Sequence, residues 1–205
     1  MQGAKTVGTY RAIDCALFAV ILAVFETVVV KAGIRWFPQE PWMVSVTPVI
    51  AAIVLMRWGP WAAIHAVLGG AVLCWASGAV QEQPLMIPVY CIGNLGALAG
   101  LILLKKPGWE RVRGDALLTM VFGAVVLLGM QAGRALVSLI VIRDVGALPM
   151  FFLPETVTML FTLVLMWIVR RVDGLFENQI HYLKRYRQQT EADGYGNAED
   201  KGGFQ

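Results

Sequence analysis

The sequence predicts an all-α membrane protein: six transmembrane helices with both termini cytoplasmic, then a cytoplasmic amphipathic helix and a disordered tail. Three observations carry this. Six apolar stretches fill almost all of residues 12–172, each near the roughly 20 residues that a helix needs to cross a bilayer core. The chain is 58% hydrophobic, and its mean hydropathy is +0.64. Its basic residues collect on one side of the stretches. Open sheet edges are not tolerated in lipid, so the stretches are read as helices. The alternating ten-residue strands of a barrel are absent.

The expected spans are 12–30, 43–57, 60–79, 85–104, 116–142 and 150–171. They form a transmembrane domain over 1–172, ahead of the amphipathic helix at 173–187 and the tail at 188–205. No nucleotide-binding loop, soluble catalytic domain or nucleic-acid surface fits in what remains. No cleaved signal peptide is expected, because span one is long, ends in Glu26 and Lys31, and lacks a small-residue cleavage site.

Span one places Ala12, Ala16, Ala19 and Ala23 on one face, at spacings of four, three and four. Small residues let two backbones approach closely in lipid. The stripe packs either against another span or against a different membrane subunit. Glu26 continues it, and so is expected to face a partner, headgroups or open solvent rather than a cavity. The outer loop that follows carries Trp36, Phe37 and Trp42. These are belt aromatics or a lid over a bound ring; the belt is favoured for Trp42, and Trp36 stays open.

Spans two and three read as a tight hairpin. Pro48, Arg57-Trp58-Gly59-Pro60 and Gly69-Gly70 mark its kinks, turn and close contacts. His65 in span three has no second histidine and no carboxylate one turn away, so no metal is expected. Cys15, Cys74 and Cys91 lie within spans without CxxC spacing and read as small buried hydrophobes. No cofactor is expected.

The polar residues of the last three spans carry the functional reading, because an ionisable residue inside a span is costly. Span four offers Tyr90 and Asn94 one turn apart. Span five offers Gln131, Arg134 and Ser138 on one face. Span six offers Glu155, Thr158 and Thr162, with Glu155 five residues inside its outer start. All three faces reach a similar depth. They converge on a cavity open to the outside, or they form a structural Arg134–Glu155 pair with hydrogen bonds that glue the helices.

Orientation follows from charge. Lys5, Arg11, Arg57, Lys105, Lys106, Arg111, Arg113, Arg170, Arg171, Lys184, Arg185, Arg187 and Lys201 fall on one side. Only Lys31, Arg35 and Arg143 fall on the other. The positive-inside rule makes the first side cytoplasmic. In the tail, Val172, Phe176, Ile180 and Leu183 recur at helical spacing among charges, giving the amphipathic helix. From Gln188 the chain is polar and Gly-rich.

The Ala12/Ala16 and Ala19/Ala23 pattern, Pro48, the Gly59-Pro60 turn and Gly69-Gly70, taken with the six-span layout, resemble the S component of energy-coupling factor (ECF) vitamin transporters. The resemblance covers the chain to about residue 172, and the tail beyond Arg171 is longer than it implies. It implies a substrate-capture subunit in the cell membrane. Such a subunit binds a small vitamin-like molecule on the outer side and works with a transmembrane coupling subunit and separate ATPase subunits. The chain itself is then no enzyme, and the alanine stripe is the partner face. No ligand-binding residue is carried over from the resemblance. The site expected from the residues themselves comprises Arg134, Glu155, Gln131, Asn94, Tyr90, Trp36 and Thr158. The alternative is a small envelope scaffold or cell-shape protein without a ligand.

Overall fold

In the computed structural model, every secondary-structure element among the described residues is helical. The structure describes residues 7–38, 44–105, 108–143, 145–153 and 155–183. Four stretches are long and apolar enough to cross a membrane: Val7–Trp36, Thr47–Ala76, Ala116–Val141 and Pro149–Val169. A shorter apolar helix spans Met86–Ile102. The chain is a helical membrane protein.

Helix α1 (Val7–Trp36) runs further at both ends than the expected span. Phe18, Leu22, Glu26 and Val30, one every four residues, form its buried face. Leu17, Val20, Val24 and Val28 on its other faces are all more than half exposed. A helix that is apolar all round belongs in lipid or in a core, and α1 meets both.

Helix α2 (Thr47–Trp58) starts with Pro48 in its first turn, where the missing N–H costs nothing. It stops at Gly59, whose φ of +62° favours glycine. A short 3-10 turn, Gly59–Trp61, leads into α3 (Ala62–Ala76). Thr47–Ala76 is thus not one straight helix. A side chain on Gly69 would collide with Thr47, yet 22 residues of straight helix would separate the two by about 33 Å. The stretch is folded into the expected hairpin, and Gly69 lets its arms close. All 12 residues of α2 are buried. At about 18 Å it is short of a bilayer core, and the surrounding helices shield its ends.

After the short α4 (Ala79–Glu82), α5 (Met86–Gly93) continues as a 3-10 helix over Asn94–Ile102. The single α-helix expected over 85–104 is corrected here. In a 3-10 helix residues three apart eclipse one another. Gly93, Gly96 and Ala99 therefore share the row that meets α7 (Ala116–Val141), while Asn94, Ala97 and Gly100 turn into the core. Contact between the two helices is backbone on backbone. A Cβ on Gly96 would strike the carbonyl of Gly129, and one on Gly133 would strike the carbonyl of Gly93. At about 1.5 Å per α-residue and 2.0 Å per 3-10 residue, Met86–Ile102 reaches about 30 Å.

Helix α6 (Gly108–Gly114) precedes α7, whose N-terminus is capped by Asp115. That carboxylate accepts the N–H groups of Leu117 at 2.8 Å and Leu118 at 3.3 Å. The last long helix, α8 (Thr156–Val169), begins later than the expected residue 150. A 3-10 helix over Val145–Phe151 with Pro149 inside it comes first. Proline lacks the donor an α-helix interior needs, which explains the late start.

The amphipathic helix expected over 173–187 is also corrected in part. Turns occupy residues 170–177, with Gly174 at φ +74°, and helix resumes only over 179–183. Phe176 owes its place in the apolar pattern to burial: it folds back into the core edge-on to Phe122, 6.0 Å between ring centres. Residues 184–205, with the rest of that helix and the expected tail, lie outside the described residues, as do Lys5, Trp42 and Lys106.

Replacing Gly129 with leucine forces α7 away from the 3-10 segment. Overpacking of this kind costs about 1–3 kcal/mol, so the melting temperature in detergent falls. Gly33→Ala, where the added atom meets open space, leaves it unchanged or higher. Equal melting of both variants would refute the close glycine contact.

Candidate functional site

Close approach of α5 and the 3-10 segment to α7 decides what surrounds Arg134. A Cβ on Gly93 would lie 2.5 Å from the Arg134 Cα, so glycine there brings Tyr90 and Asn94 against the arginine. Asn94 donates from Nδ2 to the Ala66 carbonyl at 2.9 Å, which turns its Oδ1 toward Arg134 Nε at 2.6 Å. Arg134 Nη1 donates to Glu155 Oε1, and Gln131 Nε2 reaches Glu155 Oε2 at 3.5 Å. The guanidinium carbon lies 4.7 Å from the centre of the Tyr90 ring, and that ring meets Phe151 edge-on at 6.4 Å.

Glu155 is the N-cap residue of α8 rather than an interior residue of that helix, and it makes no side-chain cap. Its carboxylate is committed to Arg134 and Gln131, and its carbonyl accepts the Met159 N–H at 2.9 Å. Arg134 is fully buried and Glu155 nearly so. One nitrogen of the guanidinium, Nη2, is buried without a hydrogen-bond partner; so are Ser138 Oγ and Thr162 Oγ1 on the same two helices.

The residues expected to converge do so in large part: Tyr90, Asn94, Gln131, Arg134 and Glu155 form one cluster. Thr158 is buried on α8 in the turn below. Trp36, 72% exposed at the end of α1, stands outside the cluster. An opening of about 250 Å³ adjoins it, lined by Leu73, Ser77, Glu82, Gln83, Met86 and Tyr90 among others. Tyr90 is the wall shared between this opening and the arginine.

Glu26 does not face a partner, headgroups or solvent. It is fully buried. Its carboxylate accepts the Ser45 hydroxyl at 2.7 Å and the N–H groups of Val46 and Thr47 at 2.8 and 3.0 Å. The first N–H groups of a helix lack internal partners, and α2 has no cap of its own. A carboxylate from α1 fills that role. The alanine stripe is open at one end: Ala12 and Ala16 are exposed, while Ala19 and Ala23 are half-buried.

Asp14 is missing from the sequence reading, although an ionisable residue inside an apolar stretch was the signal to look for. It accepts from Arg57 Nε and Nη2, both at 2.8 Å, and from the Trp58 indole at 2.5 Å. Arg57 Nη1 reaches the carbonyls of Gly174 at 2.6 Å and Leu175 at 3.1 Å. Arg57 is thus consumed inside the protein. His65 is fully buried, and its Nε2 lies 2.9 Å from the Cys15 carbonyl oxygen. Among the described residues no three His, Cys, Asp or Glu side chains gather as metal ligands would.

The chain matches no protein family, no characterised protein and no solved structure with which it was compared.

Glu26→Ala leaves the buried Ser45 hydroxyl and the Val46 N–H without an acceptor, at about 1–3 kcal/mol for each group stranded, while the Thr47 N–H keeps Ser45 Oγ at 3.2 Å. Its melting temperature falls well below that of Glu26→Gln, which keeps one acceptor oxygen. Arg134→Leu leaves Glu155 buried and unpaired, a loss of about 3–5 kcal/mol. Adding Glu155→Leu recovers most of that loss; a double mutant that melts no later than the single one would disprove the pairing.

Proposed function

We propose that this chain is a substrate-capture subunit of the energy-coupling factor type. It lies in the cell membrane as six crossing helices with cytoplasmic termini, and it binds a small vitamin-like molecule from the outer side. One observation carries the binding role: a fully buried arginine keeps one nitrogen without a partner, behind a tyrosine that walls an open cavity. A buried, unpaired donor is costly, and a ligand acceptor removes that cost. The basic residues gathered at one end support the orientation. The exposed Ala12 and Ala16 support a coupling-subunit contact, with ATP hydrolysis in separate subunits.

A second reading draws on the same cluster. Arg134, Glu155 and Asn94 already satisfy one another over most of their atoms, as a purely structural pair would in a ligand-free envelope scaffold. The two readings separate at Arg134→Lys. Lysine keeps a cation against Glu155 but loses the second nitrogen. On the binding role, the small-molecule adduct that native mass spectrometry detects on the purified protein weakens by about 10- to 150-fold, the equivalent of one charge-assisted hydrogen bond. Melting temperature falls less than in Arg134→Leu. Wild-type protein that carries no adduct, when purified from cells grown in rich medium, would favour the scaffold.

The partner contact has its own test. Ala19→Leu with Ala23→Leu prevents close helix approach at that face. Co-purification with a coupling subunit is lost while the small-molecule adduct persists. Retained co-purification would assign the stripe to packing within the chain.

A further inference from the structure

At the basic end of the molecule, one cavity lies in the seam between α7 and α8, and a second, of opposite character, lies beyond it between α6 and Arg170 at the end of α8. One is apolar, about 370 Å³, lined by Met120, Leu163, Val164 and Trp167. The other is polar, also about 370 Å³, lined by Trp109, Glu110, Arg113, Gly114 and Arg170. They share one face of α8, because Leu163, Trp167 and Arg170 follow at i, i+4 and i+7. The two helices are in contact along this seam, since a Cβ on Gly123 would meet Met166 at 2.6 Å. Beyond it, Arg170 Nη2 donates to the Gly114 carbonyl at 2.7 Å. The cavities are therefore stacked, about one to two helical turns apart. At their junction the Arg171 guanidinium lies 4.0 Å above the Trp167 ring, a pairing that suits the boundary between hydrocarbon and headgroups.

We propose that this seam holds one phospholipid with an ethanolamine headgroup. An acyl chain runs along Met120, Leu163, Val164 and Trp167, and the phosphate sits between Arg113 and Arg170. The amine meets Glu110. Donors for the phosphate remain after the internal bonds are counted. Arg113 gives Nη1 to Glu177 at 2.7 Å. Arg170 gives Nε to the Arg113 carbonyl at 3.1 Å and Nη2 to Gly114. Arg113 keeps Nε and Nη2, and Arg170 keeps Nη1, without acceptors among the described residues. Charge selects the headgroup. Over residues 108–115 and 170–177, Arg111, Arg113, Arg170 and Arg171 are matched by Glu110, Asp115, Asp173 and Glu177. A headgroup bearing only a phosphate adds an unbalanced negative charge, whereas one bearing phosphate and ammonium adds none. Glu177 and Asp115 are occupied by Arg113 and by the α7 cap. The exposed Glu110, which lines the polar cavity, is left for the amine, and it requires a donor that a trimethylated choline lacks. This inference needs only a membrane setting and stands apart from the transport proposal.

The test uses the full chain in nanodiscs of equal parts phosphatidylethanolamine, phosphatidylglycerol and phosphatidylcholine. Native mass spectrometry then counts the lipids retained after ejection from the disc. Phosphatidylethanolamine is retained about fivefold over each of the others, the scale of one partly exposed charged contact. Glu110→Gln, a surface change without structural cost, removes its advantage over phosphatidylcholine. Trp167→Ala lowers retention of all three. Equal retention by the wild type, preference for phosphatidylglycerol, or an advantage that survives in Glu110→Gln would each overturn the assignment.

Discussion

Two carboxylates on one face of α1 set the position of α2, and α2 sets the position of much else. Asp14 and Glu26 are 12 residues apart, about 18 Å along a helix, and α2 is itself about 18 Å long. Glu26 holds the open N–H groups at its start, and Asp14 holds Arg57 and Trp58 at its end. Phe18 and Leu22 fill the space between the two carboxylates on the same face. In lipid no water replaces a lost polar partner, so both ends of α2 depend on these carboxylates, with Ser45 Oγ sharing the Thr47 N–H at 3.2 Å. A helix of only 12 residues is thereby fixed as the buried centre of the bundle. Its C-terminal clamp also gathers the chain after α8, through the carbonyls of Gly174 and Leu175.

Packing passes outward from that centre to the candidate site. Leu55 of α2 lies against Gly100, in the core-facing row that begins with Asn94. Asn94 is tied to the Ala66 carbonyl of α3 on one side and to Arg134 on the other. The arginine side chain is therefore aimed by two helices that it does not belong to. Buried ion pairs contribute little net stability but are costly to break. The Arg134–Glu155 pair is best understood as fixing one arrangement of α5, α7 and α8.

Much of this was legible in the sequence, and the failures share a cause. The six apolar stretches and the hairpin at Gly59-Pro60 follow from composition and turn chemistry, which are local. The meeting of Tyr90, Asn94, Gln131, Arg134 and Glu155 followed from depth alone, because polar residues at one level inside lipid have few places to go. Glu26 was misplaced because the helical period gives a face but not its neighbour, and the uncapped start of α2 lies 20 residues further on. Phe176 mimicked an amphipathic period while belonging to the core of a folded-back turn. Gly96, Gly100, Gly129 and Gly133 form two G-xxx-G pairs that the sequence displays openly. Trp36 was placed by chemical type rather than by depth, and it stands in the open.

The 3-10 segment after Gly93 has a further consequence for how this stretch can evolve. Its side chains fall into three straight files, one for each position of a triplet. Gly96 and Ala99 form the file against α7. Asn94, Ala97 and Gly100 form the file against the core, and Leu95, Leu98 and Leu101 form the more exposed file. An ordinary helix spreads a one-residue insertion as a rotation of about 100°, which a broad apolar face partly absorbs. Here the step is one whole file, about 120°. Every leucine after the insertion would move into a place sized for glycine or alanine. Asn94–Ile102 thus has a reading frame of its own, in which lengths change by threes or the contact with α7 is lost.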